Sequence, residues 1–259
     1  MMGSADGSNE IGPRRRWWQR TWARIVGLVT FLAALAGIYS AFFGNHVTVS
    51  QPPAVPDTTP RNADGTCGDP IKTGWGPDRS TFSINAPAPY ATLNSITDNP
   101  SLGNEVMFID VKSADHLDAG GWCSDYAAND GDVLIFRVCG ENSAADNLTQ
   151  AVAEDTRVLF RVDGQPSTLV TVEGSLTSST TSPQTVYSRT EVTAPRPFRL
   201  DWVRGSETLY SNPHPQGITL TGTTSGSGAL VGPEPDGRLV PGYENSFIVT
   251  IKARITFVG

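Results

Sequence analysis

The chain is short of the side chains on which most catalytic and metal chemistry draws, with three histidines and three cysteines in 259 residues. No two cysteines stand at the short spacing of a zinc site, and no serine sits in a Gly-x-Ser-x-Gly turn. A thiolate-bound metal and a serine-hydrolase nucleophile are therefore both disfavoured. Basic charge is also scarce. Once the five N-terminal arginines and the acids Asp6 and Glu10 are set aside, the rest of the chain carries a net charge of −10, which disfavours nucleic acid and anionic polymers as partners. Between Arg24 and Asp57, charged side chains are missing altogether.

That uncharged stretch contains Ile25 to Phe43, 19 residues that are almost wholly apolar. A hydrocarbon layer about 30 Å thick is spanned by roughly 20 helical residues, because a helix satisfies its own backbone there. Arg14, Arg15, Arg16, Arg20 and Arg24 all precede the stretch, so its N-terminal side is expected in the cytoplasm and the C-terminal bulk outside. Trp17, Trp18 and Trp22 on one flank and Tyr39, Phe42 and Phe43 on the other fit interfacial anchors. The expectation is a cytoplasmic basic tail over 1–24 and a transmembrane helix over 25–43 that holds the lipid bilayer. A signal peptide cut after Ala36 competes with this reading, but it leaves the aromatic patch "IYSAFF" as an exposed new terminus. The paired arginines also suggest a twin-arginine signal, a pattern that "RWWQRTW" does not continue.

Residues 44–66 carry Pro52, Pro53, Pro56 and Pro60 among small polar residues and read as an extended stalk. From Cys67 onward helical periodicity gives way to short alternating runs between turn signals. In "DVLIFRVCG" both parities are mostly apolar, which predicts a strand buried on most of both faces. "TRVLFRVDG" places Val158, Phe160 and Val162 on one face before an Asp-Gly turn, with "STLVTVEGSL" as its hairpin partner. "NSFIVTIKARITFV" sorts Phe247, Val249, Ile251, Ala253, Ile255 and Phe257 onto one parity, and Ile248, Thr250, Lys252, Arg254 and Thr256 onto the other. That is the pattern of a half-buried antiparallel strand. Trp75, Trp122 and Trp202 are expected in the core, and "SLTSSTTSPQT" as a long polar loop. The fold class is mainly β: an antiparallel β-sandwich over 67–259, carried outside the membrane on the anchor and stalk.

Three segments, "ITDNPSLGNEVMFIDVK", "FRLDWVRGSETLYSN" and "GALVGPEPDGRLVPGYENSFIVTIK", resemble parts of uncharacterised bacterial membrane-anchored exported or surface proteins with an extracytoplasmic β-domain. The resemblance spans roughly Gly74 to Phe257 and rests on turn spacing and strand pattern. It implies surface location and a β fold, and no catalytic residue is carried over from it.

An exported domain meets oxidising conditions, so the cysteines suggest a disulfide. Asn129, Asp130 and Gly131 lie midway between Cys123 and Cys139, and a hairpin about them would bring these two together. Cys67 with either partner is the alternative. Cys67 left over would be a candidate intermolecular thiol or simply an unpaired one. Asp125, Asn129, Asp130 and Asp132 offer the hard oxygen ligands that Ca²⁺ takes, although Ala127 breaks the EF-hand order and a solvated acidic loop explains the same residues. His116, flanked by Asp115 and Asp118, is the one histidine with nearby carboxylates, since His46 lies at the membrane boundary and His214 between two prolines. Asn147-Leu148-Thr149 is a formal glycosylation sequon. Ala33 and Gly37, four apart in the span, could let two helices approach in a homo-oligomer. The pattern as a whole suggests a noncatalytic membrane-anchored cell-surface module for adhesion, envelope organisation or assembly. The alternatives are an envelope hydrolase centred on His116 or a calcium-dependent binding domain.

Overall fold

A computed structural model describes residues 74–100, 102–116, 120–162 and 164–259. The basic tail, the apolar span, the stalk, Cys67 and Asp118 lie outside the described residues. Eleven strands follow one another: β1 (Trp75–Gly76), β2 (Ile109–Ser113), β3 (Asp125–Ala127), β4 (Val133–Gly140), β5 (Arg157–Val162), β6 (Ser167–Thr177), β7 (Thr185–Trp202), β8 (Thr208–Ser211), β9 (Ile218–Thr219), β10 (Ala229–Leu230) and β11 (Phe247–Phe257). Among the described residues the only helical element is a 3-10 turn at Tyr243–Asn245, and no helix there is long and apolar enough to cross a membrane.

The strands form one mainly antiparallel sheet whose main path runs β10-β5-β6-β7-β11-β4-β2. The expected hairpin forms, with Val158 opposite Leu176 and Val162 opposite Val172. β11 also follows its sequence pattern. Phe247, Val249, Ile251, Ala253 and Ile255 are buried, while Lys252 and Arg254 are exposed. Two features depart from expectation. In β4, Leu134, Phe136 and Val138 are fully buried but Val133, Ile135 and Arg137 are only half-buried, so one face carries the core. The expected long polar loop is shorter, because Ser175, Leu176 and Thr177 complete β6 and Thr185 opens β7. The residues between them are tied down, with Ser178 Oγ donating to Glu154 O at 2.7 Å and Thr180 Oγ1 to Val152 O at 2.7 Å.

β7 is long enough to serve two neighbourhoods. Its first part pairs with β6, from Thr185 opposite Thr177 to Thr193 opposite Leu169. Its last part, Phe198 to Trp202, pairs with β11. β8 then continues along the same edge of β11, and the break between the two is stitched locally. Val203 N donates to Lys252 O at 2.9 Å, and Lys252 N donates to Ser206 Oγ at 2.9 Å, so the interrupted ladder loses little hydrogen bonding.

The core joins distant parts of this sheet. Trp202 meets Phe136 of β4 and Phe160 of β5 edge to face, at centroid separations of 5.8 and 6.1 Å. A Cβ placed on Gly174 of β6 would fall 2.6 Å from Val138 Cγ2 and 3.2 Å from Ile109 Cδ1, so β6 lies against the face of β4 and β2. A second close approach occurs at Gly140, directly opposite Phe247, where the aromatic ring fills the space that a side chain would need. The tryptophans are half-buried rather than fully enclosed. Each has a reason to stay at the boundary: Trp75 carries the Arg79 guanidinium over its ring at 5.1 Å, Trp122 is flanked by two cations, and Trp202 packs on the rim of the core.

Candidate functional site

The sequence-derived candidates fall in separate places. His116 sits just past β2, where its backbone N–H donates to Ser113 O at 3.2 Å. Its imidazole rests on Gly121, whose φ of +80 lets the backbone pass close to the ring. Asp115 turns back on the same residue, its N–H donating to Ser113 Oγ at 3.2 Å. His214 lies elsewhere, with Nε2 2.6 Å from Glu234 Oε2 on a partly exposed surface. Nearby, Ser211 Oγ donates to Pro233 O at 2.6 Å rather than to the imidazole, so the three do not form a nucleophile chain.

Two of the acidic residues proposed for calcium, Asp130 and Asp132, have their carboxylates engaged with backbone. Asp132 Oδ2 accepts from Asn129 N at 2.8 Å, closing a turn in which Gly131 adopts a φ of +84. Asp130 Oδ1 accepts from Phe257 N at 2.8 Å, and Asp132 O accepts from Ile255 N at 2.8 Å. Asp125 stands on β3 opposite Glu191 of β7. The loop thus extends the β4–β11 ladder past its last paired residues, with the Asp130 carboxylate accepting from the end of β11 and the Asp132 carboxylate closing the turn itself. Among the described residues, no cluster of three or more histidine, cysteine or acidic side chains could hold a metal ion.

The expected Cys123–Cys139 bridge is not formed, because Cys139 is a free, buried thiol. The hairpin that would have joined the two does not exist: β3 leaves the Asn129-Asp130-Gly131 turn to pair in parallel with β7, and β4 pairs with β2 and β11. Val111 of β2 faces Phe136 on one edge and Cys123 on the other. A whole strand therefore separates Cys123 from β4, roughly 10 Å at two strand spacings, beyond the reach of about 7 Å that a disulfide tolerates. Burial pushes the Cys139 thiol up to about 11, which keeps it protonated and inert.

The most highly organised polar region was not singled out by any motif. Thr92, Asn94, Ser95, Asn99, Glu105, Glu141, Asn142 and Ser143 are all buried, where the loop before β2 lies across the chain leaving β4. Asn94 takes a left-handed φ of +45 and replaces a strand partner. Its N–H donates to Glu141 O at 3.1 Å, its Oδ1 accepts from Glu141 N at 2.9 Å, and its Nδ2 donates to Cys139 O at 2.7 Å. Asn142 reaches the other way, with Nδ2 donating to Ala151 O at 2.7 Å and Leu239 O at 3.0 Å.

At the centre lie two carboxyl groups, Glu105 and Glu141, 2 and 3 % exposed and joined through the amide nitrogen of Asn99. Glu105 accepts from Asn99 Nδ2 at 2.7 Å, from Ser143 Oγ at 3.1 Å and from Ile96 N at 3.4 Å. Glu141 accepts from the same Asn99 amide at 3.2 Å. Burial pushes Glu141 up to about 9, reinforced by the negative charge of Glu105, Asp146 and Glu244. Burial raises Glu105 as well, while its donors oppose the rise. With three donors at Glu105 and one at Glu141, the arrangement favours one negative charge and one proton over the pair, with the charge drawn towards Glu105. It can hold a proton, but closed over in this way it offers neither carboxyl group to a substrate.

Beside it, Arg137 pairs with Asp110, both Nε and Nη2 lying 2.7 Å from Oδ2. The Arg137 guanidinium and Lys112 Nζ lie 4.5 and 4.6 Å from the Trp122 ring centre, a stack that fixes the indole to β2 and β4. Comparison with protein-family models, with curated proteins and with solved structures returned no match.

Proposed function

We propose that the chain is a noncatalytic module of the cell surface, held in the membrane by Ile25 to Phe43 with its N-terminus in the cytoplasm and its β-domain outside, for adhesion, envelope organisation or assembly. The observation that carries this reading is the joining of an arginine-flanked apolar stretch and a proline-rich stalk to a mainly antiparallel β body. Within that body, the buried side chains of Asn94 and Asn142 are spent on fastening loops. The sheet is read as folded into a sandwich, supported by Gly174 against Val138 and Ile109 and by Trp202 between Phe136 and Phe160. The resemblance to exported bacterial β-domain proteins points the same way.

Protease treatment of intact cells should remove the β-domain and leave a small membrane fragment containing the apolar stretch. A soluble mature chain beginning near Gly37 would overturn the anchored reading.

The thiols give a second test. Cys123 is disulfide-bonded and Cys139 is not, and the chain holds three cysteines, so Cys67 is the proposed partner of Cys123. Peptide mapping of the full chain, extracted from membranes under thiol blocking, should return one Cys67–Cys123 linked peptide, with Cys139 blocked only after denaturation. A dimer that collapses to monomer on reduction and is lost in Cys67→Ser would instead make Cys67 an intermolecular thiol.

A further inference from the structure

We propose that Glu105 and Glu141 form a one-proton latch: a single proton shared between two buried carboxyl groups fastens the segment 96–105 to the chain leaving β4, and alkali releases that segment while the sheet stays paired. The geometry supplies both halves of the latch. On one side, Glu105 is bonded through its backbone and its carboxylate to Ile96, and through its carboxylate to Asn99. On the other, Glu141 and Ser143 belong to the chain that follows β4, and Ser143 Oγ both accepts from Ser95 N at 2.8 Å and donates to Glu105. Asn99 joins the two carboxyl groups with one amide nitrogen. The donors present suffice for one anion. Two adjacent buried anions would compete for the single Asn99 amide and repel at low local dielectric.

The charged and titratable surroundings do not relieve this. Asp146 and Glu244 add negative charge, and Cys139 contributes a neutral thiol. Arg79 stands behind Ser95, its guanidinium used on Ser95 Oγ at 3.1 Å and on the carbonyl oxygens of Asn94, Gly76 and Pro77. Among the described residues, no ion pair reaches Glu105 or Glu141. The proton is what holds the pair together.

The direction of the pH dependence follows. A carboxyl group that binds its proton more tightly when folded contributes stability that is complete below the ordinary carboxylate range. That stability is lost as the pH rises through the folded value, here about 9 for Glu141. Within this window one such group lowers the folding equilibrium constant by up to tenfold per pH unit. The two carboxyl groups titrate as a pair, so the proton released belongs to both.

The test uses the full chain in detergent. Infrared difference spectra of the wild type should show a protonated-carboxyl band that persists at neutral pH and disappears near pH 9, and Glu141→Gln should lack it. Hydrogen exchange, corrected for the intrinsic pH dependence of amide exchange, should show peptides covering 96–107 losing protection above that pH while peptides covering 247–257 keep theirs. Thermal melting of Glu141→Gln, whose amide can still donate to Glu105, should lack the wild-type decline between pH 5 and 9. A wild type with no protonated-carboxyl band at pH 7 overturns the latch, and so does loss of protection in both regions together or in neither. Because the band and the exchange are read on the wild type, failure of the variant to fold leaves the proposal testable.

Discussion

Ile251→Asp should abolish folding of the β-domain, whereas Lys252→Glu, one residue away, should leave it within about 0.5 kcal/mol of the wild type. Ile251 is fully buried at the middle of β11, opposite Phe136 of β4, and Lys252 points to solvent from the same strand. An aspartate at 251 would have to be desolvated without a partner or take up a proton. Either way it would lose the packing of the isoleucine, at a cost of several kcal/mol against a total stability of about 5–15 kcal/mol. The expected readings for the full-length chain in detergent are loss of the cooperative melt in Ile251→Asp and a nearly unchanged melt in Lys252→Glu. A melt for Ile251→Asp within a few degrees of the wild type would remove β11 from the core.

Phe136→Ala should be the most costly truncation on β4, at about 3–5 kcal/mol, a fall in melting temperature of roughly 10 °C for a domain of this size. Phe136 is fully buried, lies between Val111 of β2 and Ile251 of β11, and meets Trp202 edge to face. Its ring therefore closes a space bounded by three strands and an indole that packs on β5 as well. The cavity left behind cannot collapse without moving paired backbone, which places the cost toward the upper part of that range. Thermal unfolding followed by near-UV circular dichroism also reports whether Trp202 keeps its fixed environment. A loss below about 1 kcal/mol would mean that the three strands do not share this core.

What could be read in advance was whatever a strand writes into its own residues. β11 alternates because one face is buried and the other wet, and the β5–β6 hairpin announces itself by alternation on both sides of a turn. Pairing that depends on distant chain was hidden. β3 is three residues long, too short to carry a period, and its parallel alignment with β7 is decided by packing. The symmetry of the turn about residue 131 therefore suggested a hairpin and a disulfide that do not form. The acidic loop read equally well as a metal site because sequence shows carboxylates but not the amide protons of Asn129 and Phe257 that they accept. Glu105 and Glu141 were invisible for a different reason. They are 36 residues apart, flanked by no motif, and acquire their meaning only when Asn94 and Asn99 bring two loops together.

The strand latest in the chain, β11, lies inside the sheet, with β4 on one edge and β7 and β8 along the other. For a chain made in sequence order, the partners of β11 emerge long before it does. Until residues 247–257 emerge, β4 and β7 have unpaired edges and an uncovered apolar face, and none of these contacts is local. The pairing of β11 with β4, β7 and β8 is therefore completed only in a late event. The interval before that event is when it is most exposed to proteolysis and to aggregation with its neighbours.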